Sequence, residues 1–188
     1  MKNSFFTRLT PNLNKWQYPS GFEGKCGSSN RLYEGANGFG WEEWLFENYH
    51  SGEDLCFGFL QAFNGKNAEM TSVEVIHLYT RICDGVEAKQ YYVGCIKDVK
   101  VLSKDIRAAS EEIKTKRLID LDRAGINYFS KNDAMWQNCF NIKFERKNVF
   151  LVKCHKNCEI ALLRGQFRFA LYSINDHSNF LNQISNFQ

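Results

Sequence analysis

The sequence predicts an α+β fold, a small curved sheet or barrel of about six or seven strands with one or two helices on its outside. Three observations lead there. Segments of period-two alternation outnumber segments of helical period, and they succeed one another without the strand-helix-strand rhythm of a layered parallel fold. Only residues 104–124 hold a 3.6-residue period over several turns. The length of 188 residues suits one domain, 1–188, and a composition 44% hydrophobic and 15% aromatic supplies a core, which excludes a disordered chain.

Residues 1–40 hold both prolines, Pro11 and Pro19, among Asn, Ser and Gly, and are expected to be an irregular N-terminal loop region with a function of its own. In Gly40-Trp41-Glu42-Glu43-Trp44-Leu45-Phe46, Trp41, Trp44 and Leu45 have helical spacing, and two glutamates occupy the first turn, where a helix dipole favours anions. Cys56 to Phe63 reads as a buried strand ended by Asn64-Gly65. Val73 to Ile82 alternates Ile76, Leu78 and Ile82 against Val75, His77 and Tyr79, and Asp84-Gly85 turns it toward a partner over Gln90–Ile96 that continues through Val99 and Val101. Ser103 is a candidate N-cap for a helix over Lys104–Ala124 stopped by Gly125. Strand signals follow at Phe140–Glu145, Val149–Val152, Ile160–Leu163 and Phe167–Ile174, and 176–188 reads as a polar C-terminal tail. No internal repeat is visible.

A net charge of +3 mildly favours a polyanionic partner and falls well short of a strongly basic nucleic-acid binder. No run of 18 apolar residues and no leader pattern are present, so the expectation is a cytoplasmic protein without a membrane partner. Seven cysteines, an odd number in apolar or strand-like contexts, read as reduced and mostly buried thiols.

Several motifs invite chemistry and fall short of it. Gly21-Phe22-Glu23-Gly24-Lys25-Cys26 fails as a phosphate loop, because the required first glycine falls at Pro19 and Cys26 stands where a Ser or Thr must hold Mg²⁺. It remains a small-residue loop whose Lys25, Ser28 and Arg31 could meet phosphates of a nucleic acid. Cys154-His155-Lys156-Asn157-Cys158 lacks the second ligand pair of a structural zinc site. Asp133, Glu145 and Lys147 could be drafted into a Mg²⁺-dependent nuclease, though an exposed ion pair is the plainer reading of Glu145 and Lys147. His50, His77, His155 and His177 form no catalytic constellation. The sequence implies no cofactor and no metal.

Large rings remain: 16 Phe, 8 Tyr and 4 Trp. Core packing is the default for any one of them. Trp16-Gln17-Tyr18-Pro19 lies in a loop, however, and Glu42 and Glu43 lie between two tryptophans. Rings that sandwich a heterocycle beside a carboxylate able to accept from an amino group are what an extruded base requires.

Trp16, Pro19, Gly21, Gly24-Lys25, Tyr33-Glu34 and Gly38-Phe39-Gly40-Trp41-Glu42-Glu43-Trp44-Leu45-Phe46 together resemble a module found beside HNH-type and other modification-dependent restriction nucleases. Gly58-Phe59-Leu60-Gln61, Tyr91-Tyr92-Val93-Gly94 with Ile96, and Phe140-Asn141-Ile142-Lys143-Phe144 are similar to its later landmarks, so the likeness covers roughly residues 16–150. That module belongs to the PUA-like superfamily of EVE, YTH and ASCH domains. The resemblance implies a PUA-like small curved β-barrel of about six strands with flanking helices, which recognises modified bases in nucleic acid. Relatives carry His where this chain has Trp41, which would exchange a hydrogen bond for stacking. The nuclease part has no counterpart here, so the expectation is that the chain binds without cutting, or lends its binding to a partner such as a separate nuclease.

The leading expectation is therefore a non-catalytic reader that flips a modified base, modified cytosine in DNA foremost, into an aromatic pocket. Trp16, Tyr18, Trp41, Trp44 and Tyr92 would stack, Glu42, Glu43 and Gln61 would read polar edges, and Lys25, Ser28, Arg31, Lys143, Arg146 and Lys147 would hold phosphates. An RNA-binding module of the same fold and a Mg²⁺-dependent nuclease are the alternatives.

Overall fold

The computed structural model describes residues 4–25, 33–48, 52–64, 69–83, 87–127, 133–161, 170–174 and 178–187. The architecture is mixed α+β. Eight strands form one mixed sheet: β1 (Ser4–Leu9), β2 (Leu55–Gly58), β3 (Ser72–Cys83), β4 (Ala88–Val101), β5 (Ile142–Glu145), β6 (Val149–Leu151), β7 (Glu159–Ile160) and β8 (Tyr172–Ser173). Among the described residues three α-helices accompany it, α1 (Tyr33–Asn37), α2 (Glu111–Arg123) and α3 (Ser178–Ile184).

The strand order is β2-β5-β4-β3-β1-β8. The two longest strands, β3 and β4, form the central hairpin, with Ser72 opposite Lys100 and Cys83 opposite Ala88. Along its other edge β4 pairs in turn with β7, β6 and β5. Among the described residues no ladder joins β2 to β8, so these pairings form an open sheet. Both faces of β3 are covered over Ile76–Thr80. Ile76 and Leu78 enter the main core with Leu9, Phe46, Leu60, Phe63, Ile96, Ile142 and Phe144, while Tyr79 on the opposite face packs with Phe6, Tyr92, Ile160 and Phe180.

The main departure from expectation lies within 1–40. Ser4–Leu9 is a strand in the sheet interior, parallel to β3 from Ser4 opposite Val75 to Leu9 opposite Thr80. Arg8, at 2% exposure, disguises it: its guanidinium reaches Glu34 Oε1 of α1 at 3.0 Å, so a charged residue lies within a covered strand. The C-terminal segment likewise carries α3, whose Phe180 stacks on Phe6 with ring centroids 4.5 Å apart.

The predicted long helix begins later than its N-cap. Ser103 precedes a single 3-10 turn (Lys104–Ile106), and α2 starts only after Ser110, whose hydroxyl accepts from the Ile113 N–H at 3.3 Å. The strand at Cys56–Phe63 stops at Gly58. There the Asn141 side chain clamps Leu60, accepting from its N–H at 2.9 Å and donating to its carbonyl at 2.8 Å, and a 3-10 turn (Gln61–Phe63) follows.

Not all the thiols are reduced and buried. Cys56, Cys95, Cys139, Cys154 and Cys158 are free, with Cys154 exposed, but Cys83 is disulfide-bonded. Cys26 lies outside the described residues.

The sheet also constrains single positions. Gly94 has φ +147°, and a Cβ there would stand 2.1 Å from the Phe150 carbonyl oxygen on β6. Gly94→Ala is expected to force β6 off β4 and to cost at least about 2 kcal/mol by chemical denaturation. A loss under about 0.5 kcal/mol would show that β6 yields freely.

Candidate functional site

Chemistry-bearing residues gather where the end of β1 meets the 3-10 turn Trp41–Trp44. Residues Arg8, Thr10 and Asn12, spaced by two, each meet an acidic partner. Arg8 meets Glu34, the Thr10 hydroxyl donates to Glu42 Oε2 at 3.0 Å, and the Asn12 amide donates to Glu43 Oε2 at 2.7 Å. Gly40 permits the close approach, since a Cβ there would fall 2.0 Å from Thr10 Oγ1.

The two adjacent glutamates are in different electrostatic positions. Glu43 is fully buried and ion-paired with Lys25 at 3.1 Å, and it also accepts from the Gly40 and Ser20 N–H groups. Burial pushes its carboxyl upward against the pull of Lys25, and burial lowers the Lys25 ammonium against the pull of Glu43. Glu42, 3% exposed, has no cation in an ion pair among the described residues, whereas Glu34, Glu43 and Glu47 pair with Arg8, Lys25 and Arg117. Burial raises its carboxyl to about 7, although bonds from Thr10 and from the Gln61 N–H (3.2 Å) oppose the rise.

The Glu42–Gln61 bond closes a circuit. Gln61 Oε1 accepts from the Asn64 amide at 3.3 Å, Asn64 Oδ1 accepts from the Asn138 amide at 3.2 Å, and Asn138 Oδ1 accepts from Arg107 at 3.5 Å. Asn138 ends the 3-10 turn Asp133–Asn138 that also carries Trp136, and the Trp136 ring meets Trp41 edge-on at 5.3 Å. Trp41 is thereby braced by Trp136, by Phe39 at 5.8 Å and by Trp44 at 5.7 Å. It stays half-buried, with the exposed Gln61 amide on the neighbouring turn. A half-buried indole braced by three rings, with an exposed amide on the neighbouring turn, offers a stacking face and hydrogen-bonding groups to a flat ligand.

Not every sequence-chosen residue is available in this way. Trp16, 2% exposed, donates its indole N–H to the Thr10 carbonyl at 2.8 Å. Trp44, at 0%, donates to Asp120 Oδ2 at 3.1 Å and lies under Arg117. Tyr92, at 1%, belongs to the other core, where its hydroxyl meets His77 Nδ1 at 2.9 Å and burial pushes the imidazole down to about 4. These three rings are structural here, because each has its polar atom engaged and its faces packed. Tyr18 and Trp41 are half-buried and rest on one cluster with Phe39 and Trp44.

The phosphate candidates divide similarly. Lys25 is committed to Glu43, with its side chain 1% exposed. Lys147 pairs with Glu145 at 2.6 Å in an exposed ion pair, and Arg146 reaches Asp54 at 3.7 Å. Ser28 and Arg31, and the side chain of Asp133, lie outside the described residues. Lys143 is half-buried on β5 with no acidic partner among the described residues. Among those residues no group of three or more His, Cys, Asp or Glu is placed to hold a metal ion, and no helix is long and apolar enough to cross a membrane.

Sequence reasoning missed Thr10 and Asn12 because short polar residues beside Pro11 read as loop. It missed Asn64 and Asn138 because an amide circuit between distant turns leaves no local pattern. Their one trace is the two-residue spacing of Arg8, Thr10 and Asn12. No family model matches the chain, and neither a curated protein nor a solved structure matches it.

Proposed function

We propose that this chain binds nucleic acid without cutting it and recognises one unstacked, modified base at Trp41, modified cytosine in DNA being the leading ligand. On this reading the open sheet is the core of a PUA-like barrel of the EVE, YTH and ASCH kind, and cleavage falls to a separate nuclease. The observation that carries the proposal is the circuit from Trp41 through Glu42, Gln61, Asn64, Asn138 and Trp136 back to Trp41. A half-open indole supplies stacking, and side-chain amides read the hydrogen-bonding edge of a base. Stacking contributes about 1–3 kcal/mol per base, comparable with the few kcal/mol that extruding a base costs, so phosphate contacts must add to it.

Trp41→Ala is expected to lower discrimination between modified and unmodified oligonucleotides by about tenfold or more, with weak general binding retained. Trp41→Phe should keep part of it. Anisotropy titrations on variants shown folded by circular dichroism provide the measurement. Equal weakening on both oligonucleotides, or undiminished discrimination, would remove the base from Trp41. Matched RNA and DNA strands in the same titration separate this reading from an RNA-binding one.

A further inference from the structure

Beside the circuit, ladder registers align four residues from four neighbouring strands. Phe57 of β2 lies opposite Lys143 of β5, Lys143 lies opposite Lys100 of β4, and Lys100 lies opposite Ser72 of β3. Directly paired residues point to the same face, so this is one row across the sheet, about 14 Å long at the usual strand spacing. It faces outward. Lys100 and Ser72 are exposed and Phe57 and Lys143 half-buried, while the flanking Cys56, Phe144, Val99 and Val73 fill the main core on the other face.

Two lysines directly opposite each other repel, an arrangement sheets normally avoid or neutralise with an acid. Neither Lys100 nor Lys143 has an acidic partner among the described residues. Two of the nearby acids are engaged elsewhere: Glu145 with Lys147, and Asp98 with the Asn148 amide at 3.2 Å. An anion bridging the two ammonium groups would relieve the repulsion. The aromatic end of the row adjoins the circuit, because Phe57 packs edge-on against Phe140 (6.1 Å) in the cluster that also supports Trp41.

We infer that an unpaired nucleic-acid strand crosses the sheet along this row, with one phosphodiester held between Lys100 and Lys143 and a base laid on Phe57. A paired duplex presents phosphates but keeps its base faces stacked inside, so it cannot satisfy the lysines and the ring together. The inference rests on the nucleic-acid reading above and deepens it: a nucleotide extruded from a duplex is a short unpaired stretch, and the row would grip its backbone.

Unmodified oligothymidine, as a labelled single strand and as its duplex with oligoadenine, tests the path separately from modified-base recognition. The single strand is expected to bind at least about tenfold more tightly than the duplex. Lys100→Glu and Lys143→Glu should each weaken it about three- to tenfold and lower the slope of log K against log salt by about 0.7, with the double variant less than additive because both lysines hold one phosphate. Phe57→Leu, which keeps the packing, should weaken it about fivefold. Lys114→Glu on α2 controls for net charge. Duplex binding as tight as single-strand binding, or lysine variants no weaker than the control, overturns the path even where Trp41 still governs discrimination. Absence of binding to any nucleic acid overturns both readings.

Discussion

Arg117→Ala is expected to destabilise the fold by about 3–5 kcal/mol, lowering Tm by roughly 10 °C. Arg117 has 0% exposure, and its guanidinium lies between two rings, 4.9 Å from the Trp44 centroid and 4.8 Å from that of Phe140. It meets Glu47 in two hydrogen bonds, from Nε at 3.1 Å and from Nη2 at 2.6 Å. Removing the guanidinium takes both hydrogen bonds from the Glu47 carboxylate, 1% exposed in its side chain, and leaves it only the longer contact with the half-exposed Lys116 at 3.9 Å among the described residues, which makes the single change costly. Pairing Arg117→Met with Glu47→Gln should recover much of the loss, because the apolar stem still fills the space between the rings. Arg117→Lys should fall between them, since an ammonium can neither fork to both oxygens nor stack flat. Urea unfolding measures all three. A cost for Arg117→Ala below about 1 kcal/mol would mean that water reaches Glu47 and the pair is not sealed.

Glu42→Gln is expected to stabilise the protein at pH 8 by about 2–3 kcal/mol and to leave it nearly unchanged at pH 4. The carboxyl is held at about 7 in the fold against an ordinary 4.5. Below pH 4.5 the folded and unfolded chains both hold the proton. As pH climbs toward 7 the unfolded chain releases it and the folded chain retains it, so stability declines across that window and stays low above it. The charged groups facing Glu42 are Glu34, which pushes its carboxyl further up, and Arg8, whose own guanidinium feels the attraction of Glu42. An amide at 42 can accept from the Gln61 N–H and donate to Thr10 Oγ1, keeping the joint without the charge. Chemical denaturation from pH 4 to pH 8 should therefore show a flatter profile for the variant. Parallel profiles would place the titration on another group.

Much of the sheet was legible because the middle of its central hairpin is covered on both faces. Val73 to Ile82 carries two interleaved apolar sets, and Ile76 with Leu78 and His77 with Tyr79 do separate onto opposite faces. The turn Trp41–Trp44 was legible from its acidic first positions. What stayed hidden was burial of charge. Arg8 conceals β1 and Arg117 sits between the Trp44 and Phe140 rings, because each is neutralised by a residue distant in sequence, Glu34 and Glu47. The same blindness affected the site. Trp16, Trp44 and Tyr92 were singled out for their neighbours in sequence, yet each indole or hydroxyl finds its partner across the fold, at Thr10, Asp120 and His77. Trp41 differs from Trp44 only in which side of a short turn it occupies, and no composition or period distinguishes them.

The parallel placement of β1 has a temporal consequence. During synthesis this apolar strand leaves the ribosome about 60 residues before β3 exists to receive it. Until β3 and β4 have emerged, its Phe5, Phe6 and Leu9 have no ladder to join, and the newborn chain carries an unmated, sticky segment. Translation speed and chaperone supply should therefore govern the yield of this protein more than they would for one whose first strand forms a hairpin with its second.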